Sequence, residues 1–192
     1  MKYVVFDLET QNVFSEVNSS DPTALDISVA GIYDMNTDTY TTVVVDELST
    51  IWPIIEQADA LVGYNSNHFD LPLLNKYYPG DLSTIKSIDI LESIKLSLGR
   101  RVRLDDVAKA TIGSKKNADG LQAVRWWREG KIDDIKRYCQ QDVKVTAKVF
   151  NYALTNGHVR VKEGYKNKEV PIDTSDWKIL DKPSGLTHSL PF

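Results

Sequence analysis

Residues 3–9 read YVVFDLE. No glycine or proline interrupts the run, and aromatic and β-branched residues dominate it, the pattern of a buried strand. Side chains alternate along a strand, so Asp7 and Glu9 share one face while Phe6 and Leu8 share the other. Two carboxylates side by side repel unless a cation lies between them. A lone Asp-x-Glu is common at strand ends, so its meaning depends on what else the chain brings to that face.

A second acid is isolated in the same way. Residues 61–74 read LVGYNSNHFDLPLL, and Asp70 is the only charged residue in them. It sits between a hydrophobic strand and a hydrophobic helix, with no Lys or Arg within five residues on either side. A charge near a core is costly without a partner, and a metal ion is the partner expected here. A third site lies in IKRYCQQDVKVTAKVF, residues 135–150. Tyr138 and Asp142 are four apart, on one face of a strongly helical stretch that Ile135, Val145 and Val149 share. Taken alone, that pair reads equally well as a phenol–carboxylate hydrogen bond. Together the four acids suit hard divalent cations, which prefer carboxylate and water oxygens. A two-metal phosphoryl-transfer site needs such ligands on rigid elements, holding ions roughly 3.5–4 Å apart.

The rest of the chain can be placed around these residues. ALDISVAGIYDM and DTYTTVVVDE, residues 24–35 and 38–47, read as a hairpin turning through Asn36-Thr37. Residues 47–58 predict a helix containing Pro53, residues 59–65 a short strand, and residues 68–78 a helix with Pro72 in its first turn. Beyond Pro79-Gly80 the pattern is helical, near 90–98, 103–112, 119–129 and 132–154, the last ending at Gly157. Residues 158–173 predict a terminal β-hairpin, and from Thr174 a loosely held polar tail follows. The order predicts an α/β fold, a mixed sheet flanked by helices. One domain spans 1–157, and the hairpin and tail at 158–192 form no separate domain.

Composition sets the class. The 192 residues are 42% hydrophobic and 26% charged, ordinary for a globular protein with one full core. No apolar run reaches membrane-span length, and no basic leader precedes the first strand. The single Cys139 excludes an internal disulfide and fits a reducing cytoplasm. The net charge of −4 argues against a general nucleic-acid coat. Between Arg100 and Lys131, however, nine Lys/Arg face four Asp/Glu, leaving an acidic remainder. Arg100, Arg101, Arg103, Arg125 and Arg128 read either as solvated helix faces or as contacts tracking a phosphate backbone.

The order FDLE (Phe6 to Glu9), Asn65-x-x-x-Phe69-Asp70 and Tyr138-x-x-x-Asp142 resembles the signature of DEDDy 3′–5′ exonucleases. These have an RNase H-like fold. The likeness is greatest to the proofreading exonuclease domain of family B DNA polymerases, with Gly63-Tyr64-Asn65, Phe69-Asp70-Leu71-Pro72, a looser motif from Leu104 to Lys116, and Tyr138-Cys139 before Asp142. It covers residues 2–154. Arg137 stands where the histidine subclass would carry its His. No polymerase motifs follow, so the resemblance implies a free-standing nuclease or a subunit.

By this resemblance Asp7, Glu9, Asp70 and Asp142 would hold two divalent cations, Mg²⁺ or Mn²⁺. Tyr138 would orient the attacking water. Leu8, Thr10, Asn65, Phe69, Arg101 and Arg103 would meet the substrate, with Lys115 or Lys116 a weaker assignment. The implied activity is release of nucleoside 5′-monophosphates from the 3′ end of single-stranded DNA. An exoribonuclease and a non-catalytic nucleic-acid-binding module are the alternatives. The plainer readings make Asn65 a helix-capping turn residue, Phe69, Trp126 and Trp127 core, His68 surface and Cys139 a buried hydrophobe. The tail ending GLTHSLPF faintly resembles sliding-clamp-binding peptides, which would bring a replication or repair partner. An untethered terminus is the plainer reading.

Overall fold

The computed structural model describes residues 1–114 and 120–180. Its strands and helices, in chain order, are β1 (Tyr3–Thr10), α1 (Phe14–Val17), β2 (Ile27–Asp34), β3 (Thr39–Val44), α2 (Trp52–Glu56), β4 (Ala60–Gly63), α3 (Asp70–Asn75), β5 (Lys86–Asp89), α4 (Ile90–Leu98), α5 (Leu104–Ile112), α6 (Gly120–Arg128), α7 (Ile132–Asn156), β6 (His158–Glu163) and β7 (Lys166–Pro171). Five strands form one mixed sheet in the order β3-β2-β1-β4-β5. The β1–β2 and β2–β3 pairs are antiparallel, and β4 and β5 add in parallel to β1. The fold is therefore the mixed sheet flanked by helices that the sequence predicts.

Strand β1 lies at the centre, and its alternation builds both layers. Val4, Phe6 and Leu8 pack with Leu61, Leu73 and Leu74 on one side. Val5 packs with Val143, Val149 and Phe150 of α7 on the other. Asp7 and Glu9 share the face of Val5, so the same alternation that buries Val5 aims two carboxylates at α7. A bulge follows immediately, between Glu9 and Thr10.

The 25-residue helix α7 crosses this face. Its centre buries Ile135, Cys139, Val143 and Val145 completely or nearly so. Close approach to the sheet depends on Gly31, which pairs with Asp7 across the β1–β2 ladder. A Cβ at Gly31 would lie 2.8 Å from Cys139 Sγ and 3.0 Å from Val143 Cγ2. Only glycine lets helix and strand meet there.

The structure departs from the sequence reading in three places. The segment 86–89 is a strand, β5, that hydrophobic patterning did not reveal. The helix expected at 47–58 is a 3₁₀ turn (Val45–Thr50) followed by the short α2, which carries Pro53 near its start, where the missing N–H is tolerated. From Thr174 to residue 180, the described part of the expected tail, the chain is held to the body. Trp177 is 5% exposed and stacks on Phe150 with ring centroids 5.2 Å apart, and its carbonyl accepts a 3.0 Å hydrogen bond from the Tyr3 hydroxyl. The terminal hairpin is present as β6 and β7. Lys115, Lys116 and the GLTHSLPF segment lie outside the described residues.

Candidate active site

Five elements deliver the site. Strand β1 supplies Asp7 and Glu9, α3 supplies Asp70 at its first residue, and α7 supplies Tyr138 and Asp142 one turn apart. Asp70 Oδ1 accepts the Leu8 backbone N–H at 3.1 Å, which fixes α3 against β1 between the two strand acids. The remaining two elements, α1 and α6, complete the walls. All five side chains line one cavity of about 530 Å³, together with Leu8, Thr10, Asn65 and Phe69. The sequence reading thus placed nine lining residues in one site. It did not find Phe14 or Leu121. Phe14 lies in a four-residue helix with no periodic signal, and packs edge-on against Phe69 with centroids 6.0 Å apart.

The electrostatics of the cavity are one-sided. No Lys, Arg or His appears among the described residues that line it. Asp7 is pushed well above the usual carboxylate range by removal from water, then by the charges of Glu9, Asp70 and Asp142. Glu9 is raised by burial, then by Asp142 and Asp70. Asp70 is raised to about 7, by burial above all, against the lowering effect of the Leu8 N–H. The Tyr138 phenol is also raised, first by burial and then by Asp142, to which it is hydrogen-bonded, so it stays protonated. Four acids held together with no basic side chain among the described lining residues fit a divalent metal by the chemistry of the donors. Buried Cys139 lies beside them, its Sγ 3.4 Å from the Asp7 carbonyl, and Asp7, Glu9 and Cys139 bring ligand atoms within 4.8 Å of one another.

The remaining expected contacts are distributed differently. Asn65 does not cap α3, because Phe69 occupies the cap position with no side-chain bond. Its side-chain oxygen instead accepts a hydrogen bond from Arg101. Arg101 lines a smaller neighbouring cavity of about 190 Å³ that also includes Asn65. Arg103 lines neither of these two cavities and sits, exposed, at the start of α5. Arg100 and Arg125 are exposed, and Arg128 pairs with Glu16 of α1. His68 is exposed, and Trp126 and Trp127 are half-buried against the cluster around Cys139.

This arrangement, a mixed five-stranded sheet with acids on its central strand, matches a known family. The model of the RNase H superfamily covers residues 4–154, and the chain belongs to that superfamily. Among solved structures, the chain is similar to the family B DNA polymerase from the hyperthermophilic archaeon Pyrobaculum calidifontis, with a TM-score of 0.62 and 17% identity. The likeness covers 80% of this chain and 24% of that one, so the chain spans about a quarter of the polymerase's length. At that identity the likeness is one of fold. No curated protein sequence matches the chain. Superfamily and site together support a nuclease-type function that uses divalent metal. No helix among the described residues is long and apolar enough to cross a membrane.

Proposed function

We propose that the protein is a 3′–5′ exonuclease that hydrolyses single-stranded DNA from its 3′ end to nucleoside 5′-monophosphates. One observation carries this reading. Four carboxylates from three distant parts of the chain converge, with Tyr138, in a cavity whose described lining holds no basic residue. Asp7, Glu9, Asp70 and Asp142 would hold two divalent cations, Mg²⁺ or Mn²⁺. When bound, these would acidify a water and neutralise charge on the phosphodiester.

The chain's own residues do the rest. Tyr138 remains a neutral phenol that donates to Asp142, and its oxygen accepts from the attacking water and orients it. Glu9 accepts from the terminal 3′-hydroxyl, which favours chain ends over interior linkages. Leu8, Phe69, Phe14 and Leu121 offer apolar walls to the terminal base, and Thr10 and Asn65 offer hydrogen bonds near it. The motif order shared with DNA polymerase exonuclease domains is the ground for DNA over RNA. A cytoplasmic location agrees with the unpaired Cys139.

The test is degradation of 5′-labelled single-stranded DNA and RNA of one sequence, with Mg²⁺, Mn²⁺ or EDTA, beside Asp7→Ala. A metal-dependent ladder shortening from the 3′ end, faster on DNA and absent in Asp7→Ala, is expected. Faster loss of RNA would reassign the substrate. Well-folded protein that cuts neither strand would overturn the enzyme.

A further inference from the structure

Strand β5 ends at Asp89, an acid outside the carboxylate cavity yet only 6% exposed. Both of its oxygens are taken up by backbone N–H groups. Oδ1 accepts from Leu91 at 2.9 Å and Glu92 at 3.3 Å, as a helix N-cap does for α4. The same oxygen accepts from Asn65 at 2.8 Å, and Oδ2 accepts from Asn67 at 3.1 Å. A cap needs neither of these last two. They reach back 24 and 22 residues, to the loop between β4 and α3.

That loop is where the substrate strand would meet the protein. Asn65 lines both cavities and holds a left-handed φ of 66°, which asparagine adopts more readily than other L residues. Hydrogen bonds hold the loop on several sides. The Tyr64 hydroxyl donates to the Val102 carbonyl at 2.7 Å, and Asn67 bonds Glu92 at 2.6 Å. Asp89 reaches the main chain itself, because parallel β4 and β5 end in register, Gly63 beside Asp89. The loop then delivers Asp70 three residues after Asn67.

We infer that Asp89 is a positioning residue for the single strand. By clasping the Asn65 and Asn67 N–H groups it sets Asn65, and the Arg101 guanidinium bonded to it, in the orientation that receives the phosphodiester backbone entering the cavity. The inference rests on the reading of Asn65 as a substrate contact.

The test is a double-variant comparison of Asp89→Ser with Asn65→Ala. Serine keeps capping chemistry for α4 and loses the reach to the loop. Steady-state kinetics are read together with anisotropy of 5′-labelled single-stranded DNA in EDTA, which reports binding without turnover. Asp89→Ser raises KM and Kd about tenfold with kcat within about twofold, as expected for the loss of two charge-assisted hydrogen bonds that orient a binding group. In Asn65→Ala protein, the same substitution adds nothing to KM or Kd. A lower melting temperature with unchanged KM and Kd would make Asp89 a mere cap and overturn the inference. An equal rise of KM in both backgrounds would also overturn it. Asn65→Ala with wild-type KM and Kd would remove the contact and the inference with it, while Asp7-dependent cutting would leave the nuclease reading standing. Were wild-type protein not to cut, the anisotropy comparison would still decide for or against Asp89. Should Asp89→Ser not fold, Asp89→Asn, which keeps Oδ1 and loses the Asn67 bond, serves in the same comparison.

Discussion

Replacing Asp70 with asparagine should stabilise the metal-free protein while abolishing its activity. Asp70 is 5% exposed, and its carboxyl is raised from an ordinary 3.8 to about 7. A group whose folded pKa is raised contributes stability that is fully present below its unfolded pKa and lost as pH rises through the folded one. At pH 8 the metal-free wild type has lost the whole of it. The gap of about three pKa units corresponds to a ceiling of about 4 kcal/mol. Asparagine is nearly isosteric, cannot ionise, and keeps an Oδ1 to accept the Leu8 N–H. In EDTA at pH 8, Asp70→Asn should therefore melt roughly 10 °C above wild type, at about 2–4 °C per kcal/mol for a chain of this size. At pH 5 the wild-type carboxyl is protonated in the folded state and ionised only in the unfolded one. There the advantage should shrink to less than half. The assay is thermal unfolding followed by circular dichroism at both pH values. A variant no more stable than wild type at pH 8, or an advantage of equal size at both pH values, would refute the argument.

Four further outcomes follow from other parts of the structure. Mg²⁺ or Mn²⁺ at about 100 times its Kd at pH 8 should stabilise wild type there by about 3 kcal/mol in differential scanning fluorimetry, and the same concentration far less at pH 5, where the Asp70 carboxyl holds its proton. Tyr138→Phe should lower kcat on single-stranded DNA by about 100-fold with little change in Kd, because in the proposed reaction the phenol orients the water and does not hold the strand. Gly31→Ala should cost about 1–3 kcal/mol in urea unfolding, since its Cβ would press on Cys139 and Val143, and Cys139→Ala should recover part of the loss. Trp177→Ala should cost about 3–5 kcal/mol by the same measurement, since it empties a stacked, buried position.

The carboxylates were legible because each breaks a local rule. Asp7, Glu9, Asp70 and Asp142 are charges where strand or helix periodicity demands burial, and such conflicts concentrate at functional sites. Strand β5 was hidden because KSID offers one fully apolar side chain, Ile88, and no alternation to read. Its pairing comes from β4, whose register no local pattern encodes. Asn65 stands out in the sequence, but its bond to Arg101 joins residues 36 apart, and the clasp from Asp89 is also non-local. Trp177 carries no local signal, because Thr174, Ser175, Asp176 and Lys178 around it are polar. A single large aromatic side chain can anchor a segment whose composition argues for a free tail.

That anchor joins the two extremes of the described chain. Tyr3 and Trp177 are 174 positions apart, yet one donates to the other beside Phe150. A ribosome adding about 5–20 residues per second takes roughly 10–35 s to cover that distance. Throughout that interval the central strand is already made, while the aromatic side chain that seals its corner does not yet exist. Tyr3 and Phe150 must wait, uncovered, for a late arrival. This seam between the earliest strand and Trp177 therefore closes only after both have been made, and until then that corner of the growing protein stays open to capture by chaperones.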